Sequence, residues 1–555
     1  MPVAEDVRLV FLGGLGEIGR NCATIEHDGR LIVLDCGVMF PDPEMPGVDL
    51  VLPDFSYLLD NARHIEGVVL THGHEDHIGG LGYLLRDLET QVFGSALSLG
   101  LARSRLEDSG AAGRSELITV SDGERRRIGP FDVEFIPVTH SVPQGFAVAF
   151  HTPQGVVLHS GDFKLDLTPV DGRRTDLARI GALADSVGIR LLLADSTNAE
   201  EPGFTRSERT VGETLRQIFL EHAEHRVIVA CFASHIHRIQ QLGDAAIANG
   251  RKIALLGRSM LRNVTLAREL GLLTIPQGAF VDVDKVDDLL PGEVCIISTG
   301  SQGEPMSALA LLAAGENRRL AVADGDIVVL SSHAIPGNEW AVAKVIDGLA
   351  RRGANIIHSG IAHVHESGHA KQGELATLLS VARPRCFIPV HGEYRHLLRH
   401  ARLAIEMGVD ENGVLLCEDG DSVRLTDERI DFDGEVRAGY LFVDGVVGDV
   451  GTGVLHDRRM LAEEGVVVVI LTVDSRTGDL ITGPEIITRG WVHATEAEEL
   501  IDDARAAVVK AVVEVVASGS READALRRAA RRAVGKIVSE RTKRRPMIVP
   551  VVMEA

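Results

Sequence analysis

The stretch Thr71 to Gly80, THGHEDHIGG, places three histidines and two acids within six residues, directly after the apolar run GVVL. His72 and His74 are two apart, so an extended backbone points both to one side. Asp76 and His77 are adjacent, so their side chains diverge. That spacing suggests one metal ion per pair. Imidazole with carboxylate suits zinc, and paired ions a few ångströms apart suit phosphoryl chemistry. A solvated polar loop would carry the same residue types, but matching partners recur far along the chain. Val138-Thr139-His140, His159-Ser160-Gly161-Asp162 and Pro389-Val390-His391 each put a ligand-capable side chain just past an apolar run. Residues gathered at strand ends are ordinarily functional, and strands of one sheet would bring these ends to one edge.

The elements behind these positions divide the chain. Residues 7–160 read as short strands with Gly-rich turns (VRLVFLGG, LIVLDCG, GVVLTHG, VEFIPVTH, GVVLHSG), several of them continuous apolar runs of the kind buried on both faces. Helices are expected between them, at Gly79 to Leu88 and Ser95 to Asp108. From about residue 206 strand and helix alternate, as in a parallel sheet with crossover helices. If His391 and Asp162 serve one metal pair, that alternating segment is an inserted domain, and the groove between core and insert is the natural substrate site. The tail from 460 reads as a small α+β unit: a hairpin in EGVVVVILTVDSRTGDLITG, helices over Thr495 to Val516 and Glu522 to Glu540, and a last strand, PMIVPVVM.

Gly14-Leu15-Gly16-Glu17-Ile18-Gly19 matches GxGxxG, with Asp35 near the distance expected of a ribose-binding acid. A dinucleotide site needs a helix that starts inside the glycines. RNCATIEHDGRLIVLDCG reads instead as two strands joined at His27-Asp28-Gly29, so the glycines serve a turn.

Composition agrees with a multidomain globular protein. A length of 555 residues exceeds a single core, and 45% hydrophobic with 25% charged residues is ordinary for a soluble fold. No apolar run reaches the roughly 18 residues of a membrane span, and the N-terminus lacks the basic start and long apolar core of a signal peptide. Six scattered cysteines without CxxC read as thiols in a reducing cytoplasm. The net charge of −23 argues against a generally basic nucleic-acid-binding surface but allows a local basic groove. The arginine-rich tail from Arg521 to Arg545 fits a solvated or subunit-contact helix face better than an RNA-binding one.

THGHEDHIGG resembles the signature of the metallo-β-lactamase superfamily. The long insert, Asp195 in LLLADSTN, HESGHA at 365–370 and PVHGEYRH at 389–396 resemble its nucleic-acid-processing β-CASP branch. STGSQGEPMSAL, FASHIHRIQQ and SSHAIPGNEW narrow the resemblance to the ribonuclease J family, over essentially the whole chain. It implies an α/β fold: a metallo-β-lactamase αββα sandwich with an inserted β-CASP α/β domain and a small C-terminal α+β domain. Expected limits are 1–205 for the first part of the core, 206–360 for the insert, 361–450 for the second part of the core and linker, and 451–555 for the C-terminal domain.

The resemblance also implies a site. One zinc would be held by His72, His74 and His140, the other by Asp76, His77 and His391, with Asp162 bridging both and Asp35 supporting them. Asp76, His369 and Asp195 are the expected catalytic groups. His365, Glu366, Ser367, Gly368 and His369 would contact the RNA backbone, and Ser331, Ser332, Gly337 and Asn338 a terminal phosphate. Gly47, Asp49 and Asp444 fall where a structural calcium would be bound. The implied activity is two-metal hydrolysis of RNA in maturation and decay of mRNA and rRNA precursors, 5′→3′ from a 5′ monophosphate and internally in single strands, leaving 5′ phosphates. The implied assembly is a homodimer or homotetramer through the C-terminal domain. Lactonases, thioesterases and β-lactamases lack such an insert; an inactive RNA-binding scaffold would have lost ligands; a DNA-directed nuclease of the same branch stays open.

Overall fold

The computed structural model describes residues 6–42, 44–304, 306–335, 338–445, 447–491 and 498–555, with 447–449 as backbone only. It divides into two compact units, Met1–Met39 with Leu52–Tyr440, and Phe40–Val51 with Leu441–Ala555.

Two sheets form the core of the first unit. The eight-stranded sheet runs Ile430–Glu435, Asp421–Leu425, Val7–Gly13, Cys22–His27, Arg30–Leu34, Ile65–Val69, Val92–Gly94, Leu117–Thr119. The six-stranded sheet runs Cys386–Val390, Ile189–Asp195, Gly155–His159, Gly145–Thr152, Phe131–Val138, Arg125–Ile128. Alternation along each strand decides what lies inside. Phe135, Val148 and Leu193 meet Phe11, Ile32 and Val69 between the sheets. Their neighbours Ile136, Ala147 and Leu192 face outward, against Ile180, Leu183, Leu375 and Leu403 of the covering helices. Helix, sheet, sheet, helix is the αββα sandwich.

The GxGxxG segment carries the short strand Leu15–Gly16, paired parallel with Gly392–Glu393, rather than a plain turn. Cys22–His27 and Arg30–Leu34 pair antiparallel, and the turn between them has Asp28 and Gly29 at positive φ. No helix begins inside the glycines, which removes the geometry a dinucleotide needs.

Strands Ile189–Asp195 and Cys386–Val390 are parallel neighbours in the second sheet, although the segment between them folds on its own sheet. That sheet is five-stranded and wholly parallel, in the order Lys252–Leu256, Val294–Ser298, Val227–Ala230, Ile327–Leu330, Asn355–Ile357. Its central strands are apolar on both faces because crossover helices cover both.

In the second unit, Val466–Val473 lies between Leu480–Arg489, antiparallel, and Met547–Glu554, parallel. Val467, Val469, Leu471 and Val473 bury against Val508, Val512, Leu526 and Val534 of helices Glu498–Ala517 and Ala523–Thr542. Residues 495–497 of the first expected tail helix lie outside the described residues. Arg541 of the last helix pairs with Asp503. Among the described residues no helix is long and apolar enough to cross a membrane.

Candidate metal centre

The strand ends singled out in the sequence converge, from both sheets rather than from one. THGHEDH follows Ile65–Val69 of the first sheet; His140, Asp162 and His391 follow Phe131–Val138, Gly155–His159 and Cys386–Val390 of the second. Facing sheets bring their ends to a common rim, so ligands enter the site from two sides.

His74 caps the short helix Glu75–Ile78. Its Glu75 carbonyl accepts from the Gly79 amide at 2.7 Å, and the segment after Arg30–Leu34 also donates to its carbonyls. Cys36 N donates to His77 O at 2.8 Å, and Val38 N donates to Glu75 O at 3.1 Å. The approach is so close that a Cβ on Gly37 would lie 1.7 Å from the Asp76 carbonyl oxygen.

Two groups of donors share one carboxylate. His72, His74, His140 and Asp162 form the first, and Asp76, His77, Asp162 and His391 the second, each with its ligand atoms within 4.8 Å of one another. Within the first, His74 Nδ1 lies 3.1 Å from Nε2 of both His72 and His140. Within the second, Asp162 is 3.3 Å from His77 Nε2 and 3.0 Å from His391 Nδ1, and Asp76 is 3.3 Å from His391 Nε2. Asp162, Asp195, His369 and His391 form a third, overlapping group.

The surroundings fix which nitrogen faces inward. His77 Nδ1 lies 2.7 Å from Asp35 Oδ2, and His140 Nδ1 lies 2.8 Å from the Gly368 carbonyl. Asp35 is itself held by the amide of Thr71 at 2.8 Å and its hydroxyl at 2.7 Å. Asp35 and His391 both adopt left-handed φ, 57° and 55°, a conformation that costs a non-glycine residue roughly 1–2 kcal/mol and concentrates at functional sites.

Burial pushes His74 down to about 4 and holds His72 and His140 well below the usual imidazole range. All three are neutral at neutral pH, as a metal ligand must be. At His77 and His391 burial works the same way, but the carboxylates, Asp162 foremost, outweigh it and raise both. The acids of the second group therefore call for positive charge at its centre. Asp162 Oδ2 and His391 Nε2 are buried without a hydrogen-bond partner, a cost of roughly 1–3 kcal/mol each that coordination relieves. The donor set fits divalent metal.

Beside the two groups, His369 Nδ1 lies 2.8 Å from Asp195 Oδ2, and Asp195 Oδ1 accepts from the amide and hydroxyl of Thr197. A Cβ on Gly368 would lie 2.7 Å from the His140 ring, so only glycine lets this segment close on the site. Ser367 Oγ accepts from Asn198 Nδ2 at 2.8 Å. His365 and Glu366 directly precede Ser367 in the same irregular segment, with Glu366 3.5 Å from His363. Ser332 Oγ donates to the Ser301 carbonyl at 3.2 Å, and Asn338 caps helix Glu339–Ala350. Ser331 is wholly buried; its hydroxyl donates to the Val364 carbonyl and accepts from Arg238. Gly337 lies outside the described residues. Gly47, Asp49 and Asp444 are drawn together in the second unit, where Arg458 contacts Gly47 and Asp444.

Sequence reasoning missed two buried charges that hold the loop 365–371. Lys164 Nζ donates to the Ser367 carbonyl at 3.2 Å. Glu374 accepts from the amides of Leu165, Thr205 and Lys371 at 2.8, 2.7 and 2.9 Å. Their signal was a charged residue inside an otherwise apolar helix or next to a strand-end ligand.

Four family descriptions match successive parts of the chain: the metallo-β-lactamase superfamily over 15–194, the ribonuclease J β-CASP domain over 224–349, the Zn-dependent metallo-hydrolase RNA specificity domain over 356–413, and the ribonuclease J C-terminal domain over 453–555. Among curated relatives, Ribonuclease J of Mycobacterium tuberculosis is 43% identical, covering 99% of this chain and 97% of the relative. Ribonuclease J of Thermus thermophilus is 42% identical over 99% and 96%, and Ribonuclease J 1 of Streptococcus pyogenes 39% over 99% and 98%. A solved Enterococcus faecalis protein of unknown function shares the fold, with TM-score 0.54 and 16% identity, over 76% of this chain and all of that one.

Proposed function

The chain belongs to the ribonuclease J family and is a metal-dependent phosphodiester hydrolase, and on that premise we propose that it is a two-zinc ribonuclease. It removes nucleotides 5′→3′ from RNA bearing a 5′ monophosphate and also cleaves single strands internally. The observation that carries this reading is the pair of four-donor groups sharing Asp162. His72, His74, His140 and Asp162 would hold one ion, and Asp76, His77, His391 and Asp162 the other. Two divalent ions supply a water nucleophile at neutral pH and neutralise charge on the phosphate.

The chain's own groups do the rest. Asp76, half-buried at the rim, accepts the proton of the attacking water. His369, whose hold on a proton Asp195 strengthens against the effect of burial, donates a proton to the departing 3′ oxygen. Asp195 orients that ring and does not itself react. Because water attacks, no 2′-hydroxyl takes part and the product keeps a 5′ phosphate. The backbone of 365–369 and the side chains of His365, Ser367 and His369, with Ser332, Gly337 and Asn338, receive the RNA phosphates; Ser331, its hydroxyl spent on Val364 and Arg238, supports the strand end from behind. The protein works as a dimer or tetramer through its C-terminal domain. Its six buried free cysteines fit a cytoplasmic setting.

The test is incubation of the zinc-loaded protein with 5′-monophosphorylated RNA, 5′-hydroxyl RNA and matched DNA, with and without chelator. Chelator-sensitive release of mononucleotides from the phosphorylated RNA is expected. Intact RNA alongside degraded DNA would move the substrate to DNA; both intact, with two zinc ions bound per chain, would overturn the nuclease reading.

A further inference from the structure

The calcium site that the family resemblance implies does not fit this chain. Its three expected residues lie in the second unit, and a guanidinium already stands among them. Arg458 Nη1 donates to the Gly47 carbonyl at 3.0 Å and to the Pro46 carbonyl at 3.4 Å, and Nη2 donates to Asp444 Oδ2. Asp49 Oδ2 accepts from the Gly445 amide at 2.7 Å. Calcium requires about six to eight oxygens at about 2.3–2.6 Å. Here two of the three expected residues spend an oxygen on an arginine and the third spends one on a backbone amide. Guanidinium has donors only and stays charged in proteins, so it can neither join a coordination sphere nor yield by losing its proton. A divalent ion sharing its oxygens would sit against a like charge.

The backbone is shaped around the same side chain. Gly47 has φ +73°, and a Cβ there would come within 2.8 Å of Arg458 Nη1. On the same helix, Gly451–Glu464, Arg459 Nε donates to the Glu44 carbonyl at 3.0 Å. Two successive arginines thus hold a segment some four hundred residues earlier in the chain.

We propose that Arg458 takes the place of calcium: its guanidinium is the resident cation that clips residues 44–49 to Asp444, and the clip closes without a metal ion. The direction of the substitution is physically sensible. A planar fork meets a carboxylate and carbonyls with directed bonds, and its charge does not depend on ion supply.

The test uses the full-length, zinc-loaded protein. It is equilibrated with millimolar CaCl2, desalted, and its calcium content counted by plasma mass spectrometry. Thermal unfolding is followed in CaCl2 and in MgCl2 at equal concentration. The wild type is expected to retain no calcium and to unfold at the same temperature in both salts. Arg458→Ala is expected to lower the first transition by roughly 2–4 °C in MgCl2. One calcium retained per wild-type chain, or a wild-type transition raised by calcium over magnesium, would overturn the proposal. So would an Arg458→Ala protein that unfolds at the wild-type temperature. The calcium count needs no variant, so the proposal stays testable if Arg458→Ala fails to fold.

Discussion

Nδ1 of His77 lies 2.7 Å from Oδ2 of Asp35, and that contact decides which imidazole nitrogen faces the metal centre. Asp35 pins the ring from behind, leaving Nε2 toward Asp162 and Asp76. Asp35→Asn keeps the shape but can offer its amide nitrogen where an acceptor is required. Outer partners of this kind are worth roughly 10–100-fold in metal affinity. A zinc titration of the variant is expected to weaken by that factor with its circular dichroism unchanged; full affinity would mean that Asp35 only braces the strand.

Asp162 is common to both donor groups, whereas His74 belongs to one. Zinc content should therefore separate the two. His74→Ala is expected to retain about one ion per chain by analogy with one emptied group, and Asp162→Ala less than one, with activity down at least about a hundredfold in each. Equal loss of metal from both variants would contradict two sites joined through Asp162.

His369 tests the chemistry apart from the metal. It contacts Asp195 at 2.8 Å and stands 3.9 Å from Asp162, and it is absent from both four-donor groups that define the proposed ions. Its replacement by alanine should lower kcat by roughly 10²–10⁴-fold, the range of a lost general acid, while zinc content stays at the wild-type level. An RNA whose scissile 3′ oxygen is replaced by sulfur needs no proton on departure. That substrate should recover most of the lost rate; if it does not, His369 binds phosphate rather than donating a proton.

The metal positions were legible because each ends an apolar run, and an apolar run that stops at a histidine or acid marks a strand end whatever the tertiary fold. Their source in two sheets was not legible, since Val138, His159 and Val390 look the same in sequence as Val69 does. Sheet membership is set by which hydrophobic faces meet, and that depends on long-range pairing such as Leu193 beside Ile388. The buried charges were hidden for the same reason. Arg238 has no exposed surface because Glu208, thirty residues earlier, meets it. The helical spacing of Arg238 with Leu242 and Ala245 puts a cation on an apolar face, which was the available clue. Ser331 shows the reverse: a strand-end serine resembles a phosphate ligand until its hydroxyl is found spent on Val364 and Arg238.

That buried pair gives the acid limit of the inserted domain. Glu208 Oε1 accepts from Arg238 Nε at 2.7 Å, and lies 2.6 Å from Arg238 Nη2 and 3.5 Å from His235. Burial pushes the Glu208 carboxyl up, but the Arg238 guanidinium, with His235 beside it, outweighs burial and holds it well below its ordinary 4.5. A depressed acid gives stability that is complete above its unfolded value and is lost as pH falls toward the folded one. His235 adds to the slope earlier. Burial lowers it from 6.5 to about 4, so the unfolded chain takes up a proton between those values and the native chain does not. Wild-type stability should therefore decline below about pH 6.5 and more steeply below about 4.5. Glu208→Gln leaves Arg238 buried without its counter-charge and should cost roughly 3–5 kcal/mol near neutral pH. Glu208→Gln also removes the carboxylate that raises His235, so the comparison is made with His235→Gln in both proteins, where their difference isolates Glu208. Measured by denaturant unfolding, the gap should stay level from neutral pH to about 4.5 and close below it. A gap that widened in acid would mean that Glu208 is protonated in the native state.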